Sequence, residues 1–127
     1  MGIFSKKVRV YKTKIFAKWS TKEKISDSEL RGAVDEITRG LVDADLGGNI
    51  YKKRLATLGM GKRAGARTIL AYQLNSQAFF VFGFKKAAKD NITREELKQF
   101  KLLARQLLSY DHRQIKKALK LGDLKEI

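Results

Sequence analysis

Three segments of the chain carry apolar residues at helical spacing behind a helix-start signal. Each signal is a capping box, in which a Ser, Thr or Asp is followed three positions later by Glu or Gln. The pairs are Ser26 with Glu29, Thr93 with Glu96, and Asp111 with Gln114. Behind the first box, apolar residues recur at spacings of four, three and four up to Leu41, which predicts a core-facing helix ended by Gly47 and Gly48. A shorter helix is predicted around Phe16 and Trp19.

Four other segments have the alternation, or the β-branched and aromatic content, of strands. They are residues 8–12, 49–56, 66–74 and 77–84. The last of these is apolar on both faces, which predicts a central strand. A glycine-rich connection at 58–65 joins the second strand to the third. The order β-α-α-β-β-β-α-α, with strands and helices segregated, predicts one α+β domain over residues 1–127 with a mainly antiparallel sheet.

Composition and charge restrict the class of protein. A hydrophobic content of 43% supports a folded core, and the absence of cysteine excludes both disulfides and cysteine-based zinc sites. No apolar run reaches membrane-spanning length and no signal peptide is evident, so we expect a soluble cytoplasmic protein. With 28 Lys and Arg against 13 Asp and Glu, the formal charge is +15, which indicates a polyanionic partner. Nucleic acid is the first candidate and an anionic membrane surface the second.

The positive charge is concentrated on the predicted strands. From Leu46 to Lys89 there is no acidic residue. Strand alternation puts Lys52 and Arg54 on one face of their strand and Lys53 on the other. Counting along the later strands, we expect Arg67 and Lys85 to share an open face of the sheet with Lys52 and Arg54.

The sequence contains no standard catalytic or metal-binding motif. The single histidine, His112, follows a helix cap, and the glycines between Gly59 and Gly65 lack the spacing of a phosphate-binding loop. We therefore expect no metal and no cofactor. A cluster of cations could still cleave RNA by activating its own 2′-OH, since arginines stabilise phosphate charge and neighbouring cations favour the neutral amine of a lysine. From the residues alone, binding without catalysis is favoured, because basic faces are commoner than basic active sites.

Three sequence stretches carry a family resemblance. They read Y-K-K-R-L-A at 51–56, G-K-R-A-G-A-R-T-I-L-A-Y at 61–72, and F-F-V-F-G-F-K-K-A-A-K-D-N-I at 79–92. Together with the segment at 33–48 they resemble the RelE/HigB branch of the RelE/ParE toxin superfamily. The resemblance implies a small microbial RNase fold, with two N-terminal helices packed on one face of a twisted, mainly antiparallel four-stranded sheet and a basic concave face opposite.

The resemblance also implies a set of site residues. Matched position by position, the catalytic residues would be Lys52, Arg54, Arg67, Lys85 and Lys86. Additional RNA-binding residues would be Lys53, Lys62, Arg63 and Lys89. Arg67 and Lys85 would hold the scissile phosphate, and Lys52 or Arg54 would stabilise charge. The general base would be Lys52, Lys85 or Lys86. Some superfamily members use a tyrosine or histidine as acid or base near the end of this region, and residues 86–92 contain neither.

The function implied is that of a type II toxin, a metal-independent endoribonuclease that inhibits translation by cutting mRNA on the ribosome. Its partners would be a cognate antitoxin, mRNA, the ribosome and, through the antitoxin, operator DNA, with no membrane involved. Two alternatives remain open. One is a ParE-like gyrase inhibitor without nuclease activity, and the other is a basic nucleic-acid-binding module without catalysis.

Overall fold

Ten secondary-structure elements are seen in a computed structural model that describes residues 8–55 and 65–127. The strands are β1 (Arg9–Thr13), β2 (Ala44–Gly47), β3 (Ile50–Arg54), β4 (Ala66–Gln73), β5 (Gln77–Lys85) and β6 (Leu124–Glu126). The helices are α1 (Lys14–Lys22), α2 (Asp27–Thr38), α3 (Arg94–Leu108) and α4 (His112–Leu121).

The described strands form one sheet in the order β2-β3-β4-β5-β1-β6. The pair β1–β5 is parallel and the other pairs are antiparallel. The α+β class with a mainly antiparallel sheet is confirmed, and β5 is central as its sequence predicts. The expected number of four strands is wrong, because β2 and β6 add one short strand at each edge. These strands have four and three residues, which is too short for alternation to reveal them.

Helices cover both faces of the sheet. On the first face, α1 and α2 pack their apolar residues against strands β3, β4 and β5, with Phe16, Leu30 and Val34 meeting Leu70 and Phe80. The second face is covered by α3 and α4. Its core includes Ile50, Ile69, Phe79, Ala104, Leu107 and Ile115. The expectation of an open face opposite the N-terminal helices is therefore wrong over most of the sheet.

The three predicted helix starts are confirmed, and each capping box is formed in both directions. The predicted end of α2 is wrong. The helix stops at Thr38, where Arg39 is the cap and Gly40 follows with φ of 87°, so Leu41 leaves the apolar stripe and is 53% exposed. Of the later glycines, Gly47 instead ends β2, and Gly48 forms with Asn49 the turn between β2 and β3.

A β-bulge in β5 changes which side chains share a face. Ile69 pairs with Phe82, whereas the next residue, Leu70, pairs with Phe80, so Val81 is an extra residue on β5. Val81 and Phe82 consequently both join the second-face core, although they are neighbours in sequence. Because a strand alternates with a period of two, every residue of β5 beyond the bulge lies on the opposite face from the one that simple counting gives.

The carboxylate of Glu96 links the start of α3 to the end of β5. It accepts a hydrogen bond of 2.7 Å from the backbone N–H of Thr93 and lies 2.9 Å from the ammonium of Lys89. The backbone hydrogen bond first, and Lys89 second, hold the pKa of Glu96 below its usual value.

A lowered pKa in the folded state makes Glu96 a source of acid sensitivity. Its stabilising contribution is complete above the pKa of the unfolded chain and is lost as the pH falls through the lower folded value. We expect Glu96→Gln to lose less stability than the unmodified chain between about pH 5 and pH 3, measured by urea unfolding at each pH. The control is Glu95→Gln, an exposed position in the same turn. An identical acid response in all three proteins would contradict this assignment.

Candidate functional site

Three of the predicted site residues lie together on the second face, at one end of the sheet. Arg54 on β3 lies directly opposite Arg67 on β4, and Lys52 lies opposite Ile69, which belongs to the second-face core. Arg67 is in turn opposite Phe84 of β5, which belongs to the same core. The prediction that Lys52 and Arg54 share a face is confirmed, and Arg67 is on that face with them.

The guanidinium of Arg67 has an unsatisfied donor in the described structure. Its Nη1 atom is buried, and in the described part of the chain it has no hydrogen-bond partner. Its cross-strand neighbour Phe84 is 5% exposed, so an apolar ring supports the arginine from one side. A buried donor without an acceptor is unfavourable, typically by about 1–3 kcal/mol. A bound anion would supply the missing acceptor.

Lys85 lies on the opposite face of the sheet from Arg67. Its partner across the strands is Ala66, a first-face core residue, and its ammonium lies 3.0 Å from the carboxylate of Glu23 at the end of α1. The expectation that Arg67 and Lys85 share a face is therefore wrong. The physical cause is the bulge at Val81, which shifts the alternation of β5 by one residue.

Lys86 takes the place that counting assigned to Lys85. Its backbone N–H donates a 2.9 Å hydrogen bond to the carbonyl of Gly65, so the pairing of β4 and β5 continues one residue past the end of β5. From this pairing we infer that the exposed Lys86 side chain follows the alternation of Phe84 and lies on the second face, on the same side as Arg67. Gly65 has φ of 96°, and a Cβ there would lie 3.3 Å from the Cβ of Lys86.

The predicted RNA-binding residues are placed differently. Lys53 is 8% exposed, and its ammonium contacts Glu36 at 2.9 Å and the carbonyl of Leu41 at 2.9 Å. Lys89 is held by Glu96, as described above. Lys62 and Arg63 lie outside the described residues. Lys53, Lys85 and Lys89 thus each have a carboxylate partner.

We define the strand-end cluster as Lys52, Arg54, Arg67 and Lys86. Within residues 8–55 and 65–127, none of these four side chains makes a hydrogen bond or an ion pair. The carboxylate of Asp43 accepts a hydrogen bond from the backbone N–H of Arg54, not from its guanidinium. Like charges directly opposite each other on neighbouring strands are destabilising. The Arg54–Arg67 pair therefore lowers the stability of the fold, which is typical of residues at a functional site.

No aromatic or imidazole proton donor of the described chain lies at the strand-end cluster. Tyr51 points to the first face, where it meets Tyr72 edge-on with ring centroids 6.0 Å apart, and burial raises the pKa of Tyr51. Tyr110 lines a cleft between α3 and α4, and His112 is exposed at the start of α4. No group of three His, Cys, Asp or Glu residues in the described ranges could hold a metal ion. Among the four residues of the strand-end cluster, the lysine amines of Lys52 and Lys86 are the groups that exchange protons most readily.

Comparison with known proteins gives an independent assignment. The family model for the RelE toxin of the RelE/RelB toxin–antitoxin system matches residues 8–127. The match spans every described strand and helix, including those that carry the strand-end cluster. Comparison with the curated proteins returns no match. None of the described helices is long and apolar enough to cross a membrane. The chain belongs to the RelE toxin family of toxin–antitoxin systems.

Proposed function

We propose that this toxin is a metal-independent endoribonuclease that cuts mRNA on the ribosome, with the strand-end cluster as its active site. The observation that carries the proposal is the guanidinium of Arg67. It lies beside a second arginine, and it has a buried donor that lacks an acceptor within the described residues. A phosphate has the charge and the acceptor geometry that this pair of arginines lacks.

The reaction follows from the groups available. The 2′-oxygen of the RNA attacks the adjacent phosphorus, the bond from phosphorus to the 5′-oxygen breaks, and a 2′,3′-cyclic phosphate and a 5′-hydroxyl form. Arg67 and Arg54 donate to the non-bridging oxygens, whose charge increases in the transition state. One of Lys52 and Lys86 accepts the 2′-hydroxyl proton as a neutral amine. The other gives a proton to the departing 5′-oxygen as an ammonium.

The family implies an antitoxin as the partner of this chain. We propose that the antitoxin neutralises the toxin by placing an acidic segment over the strand-end cluster, and that any contact with operator DNA is made through the antitoxin. Because the substrate is ribosome-bound mRNA, we place the activity in the cytoplasm.

Primer extension on ribosome-bound mRNA tests the proposed activity. We expect cuts that recur at codon spacing, with the same cuts absent on free mRNA. Intact mRNA together with stalled gyrase–DNA complexes would replace this proposal with gyrase inhibition. Nucleic-acid binding without growth arrest on expression would replace it with a simple binding module.

A further inference from the structure

One side of α3 carries a line of four cations. Arg94, Lys98, Lys101 and Arg105 recur at spacings of four, three and four, which places them on one side of the helix over a length of about 16 Å. Lys101 is half-buried and the other three are exposed. Over the described chain, no acidic residue pairs with any of them. We call these four residues the α3 stripe.

The α3 stripe faces the β2–β3 edge of the sheet. A Cβ added to Gly48, in the β2–β3 turn, would lie 3.3 Å from Cγ of Lys101, so the absence of a side chain there lets the lysine stem lie across the turn. A cleft of about 350 Å³ opens beside it, lined by Lys101, Arg105, Gly48 and Asn49 together with the end of α3.

The opposite side of α3 is chemically different. Gln99, Leu103 and Gln106 line a mainly apolar cleft of about 590 Å³ between α3, the start of α1 and strand β5. The two sides of α3 therefore differ in charge, whereas an ordinary solvent-exposed surface mixes charges of both signs. The positive side is the one that borders β3.

The α3 stripe and the strand-end cluster lie along the β3 side of the second face, towards opposite ends of β3. Arg54 lies opposite Arg67 at one end of β3, and Lys101 lies across the β2–β3 turn at the other end. α3 packs on β3, β4 and β5, and Lys52 is on the face of β3 that α3 covers. A strand of RNA whose phosphate lies at Arg67 can thus continue along β3 towards that turn and meet further cations along α3.

We infer that the α3 stripe is a phosphate-binding wall that holds the RNA strand flanking the cleavage site. The inference deepens the proposed function, on which its choice of RNA rests. The chemistry recognised is the phosphate backbone of single-stranded RNA, and the strand bound is the mRNA substrate. Three phosphate contacts to a single strand release counterions and give a salt dependence of about two powers of the salt concentration.

The test compares two variants of equal charge. Lys98→Gln, Lys101→Gln and Arg105→Gln together remove three positive charges from the α3 stripe. Lys116→Gln, Lys117→Gln and Lys120→Gln remove three from the exposed outer side of α4. The probe is a fluorescent 2′-O-methyl oligoribonucleotide, which binds but has no 2′-hydroxyl to attack. Affinity is measured over a series of KCl concentrations, and a parallel series uses purified ribosomes.

For the α3 variant we expect the slope of log K against log [KCl] to fall in magnitude by about two, with no change for the α4 variant. A change in the oligonucleotide series identifies the substrate strand as the ligand. A change confined to the ribosome series would assign the α3 stripe to ribosomal RNA and overturn the inference. No change in either series, or an equal change in both variants, would overturn the inference.

Two further features keep the test decisive. Lys101 is half-buried, so a second variant with Arg94→Gln, Lys98→Gln and Arg105→Gln preserves its packing on Gly48 and should reproduce the change in slope. The binding measurement also needs no cleavage. If the unmodified chain cuts no mRNA while the α3 variant loses its salt dependence, the proposed nuclease activity fails and the phosphate-binding wall stands.

Discussion

Arg67→Ala is expected to slow cleavage of ribosome-bound mRNA by at least about 100-fold and to abolish growth arrest on expression. The reason is that the Arg67 guanidinium is the one group of the strand-end cluster whose buried donor lacks an acceptor in the described structure. Arg67→Lys keeps the charge but loses the planar fork, so it should recover only part of the rate. Single-turnover kinetics with saturating ribosomes measure both variants.

The control for Arg67→Ala is Arg113→Ala, which removes an exposed arginine from α4 and should leave cleavage unchanged. The free energy of unfolding of Arg67→Ala should stay within about 1 kcal/mol of the unmodified chain, because the lost side chain makes no hydrogen bond to the described residues. Loss of cleavage together with unfolding would show that Arg67 supports the fold instead of the reaction.

Gly83→Ala is expected to destabilise the fold by about 3 kcal/mol, near the upper end for overpacking a core. Gly83 is buried on β5, and a Cβ there would lie 2.2 Å from two ring carbons of Trp19 on α1. Neither the central strand nor the large ring can move without disturbing the first-face core. Urea unfolding monitored by circular dichroism measures the change.

The same substitution at a second glycine is expected to have the opposite effect on stability. Gly32 lies inside α2 with nothing within 4 Å of its added Cβ, so Gly32→Ala should stabilise the chain by about 0.5–1 kcal/mol. Adding Trp19→Leu to Gly83→Ala should restore part of the lost stability, since the two sites are in contact. Full stability of Gly83→Ala alone would mean that Trp19 does not lie across β5.

The helix starts and the core strands could be predicted from sequence because their signals are local. Each capping box is contained in four residues, and β5 is marked by an unbroken apolar run. The bulge at Val81 has no such local signal and could not be predicted. In a strand that is apolar on both faces, no polar residue marks where the alternation changes, so counting carried Lys85 to the wrong face.

The sequence also does not predict which cations form ion pairs with carboxylates. Alternation correctly separates Lys53 from Lys52 and Arg54, but only the tertiary fold brings Glu36 of α2 to its ammonium. Apolar periodicity does not reveal the α3 stripe, although cations at the same helical spacing indicate a charged face.

In the proposed active site Lys86, and not Lys85, shares the second face with Arg67. Single-turnover cleavage of ribosome-bound mRNA by Lys85→Ala and Lys86→Ala tests it most directly. We predict that Lys86→Ala slows cleavage by about 100-fold. Lys85→Ala should stay within about threefold of the unmodified chain, because it loses only a part-exposed ion pair with Glu23. A Lys85→Ala rate as low as that of Arg67→Ala, with Lys86→Ala fully active, would contradict the account.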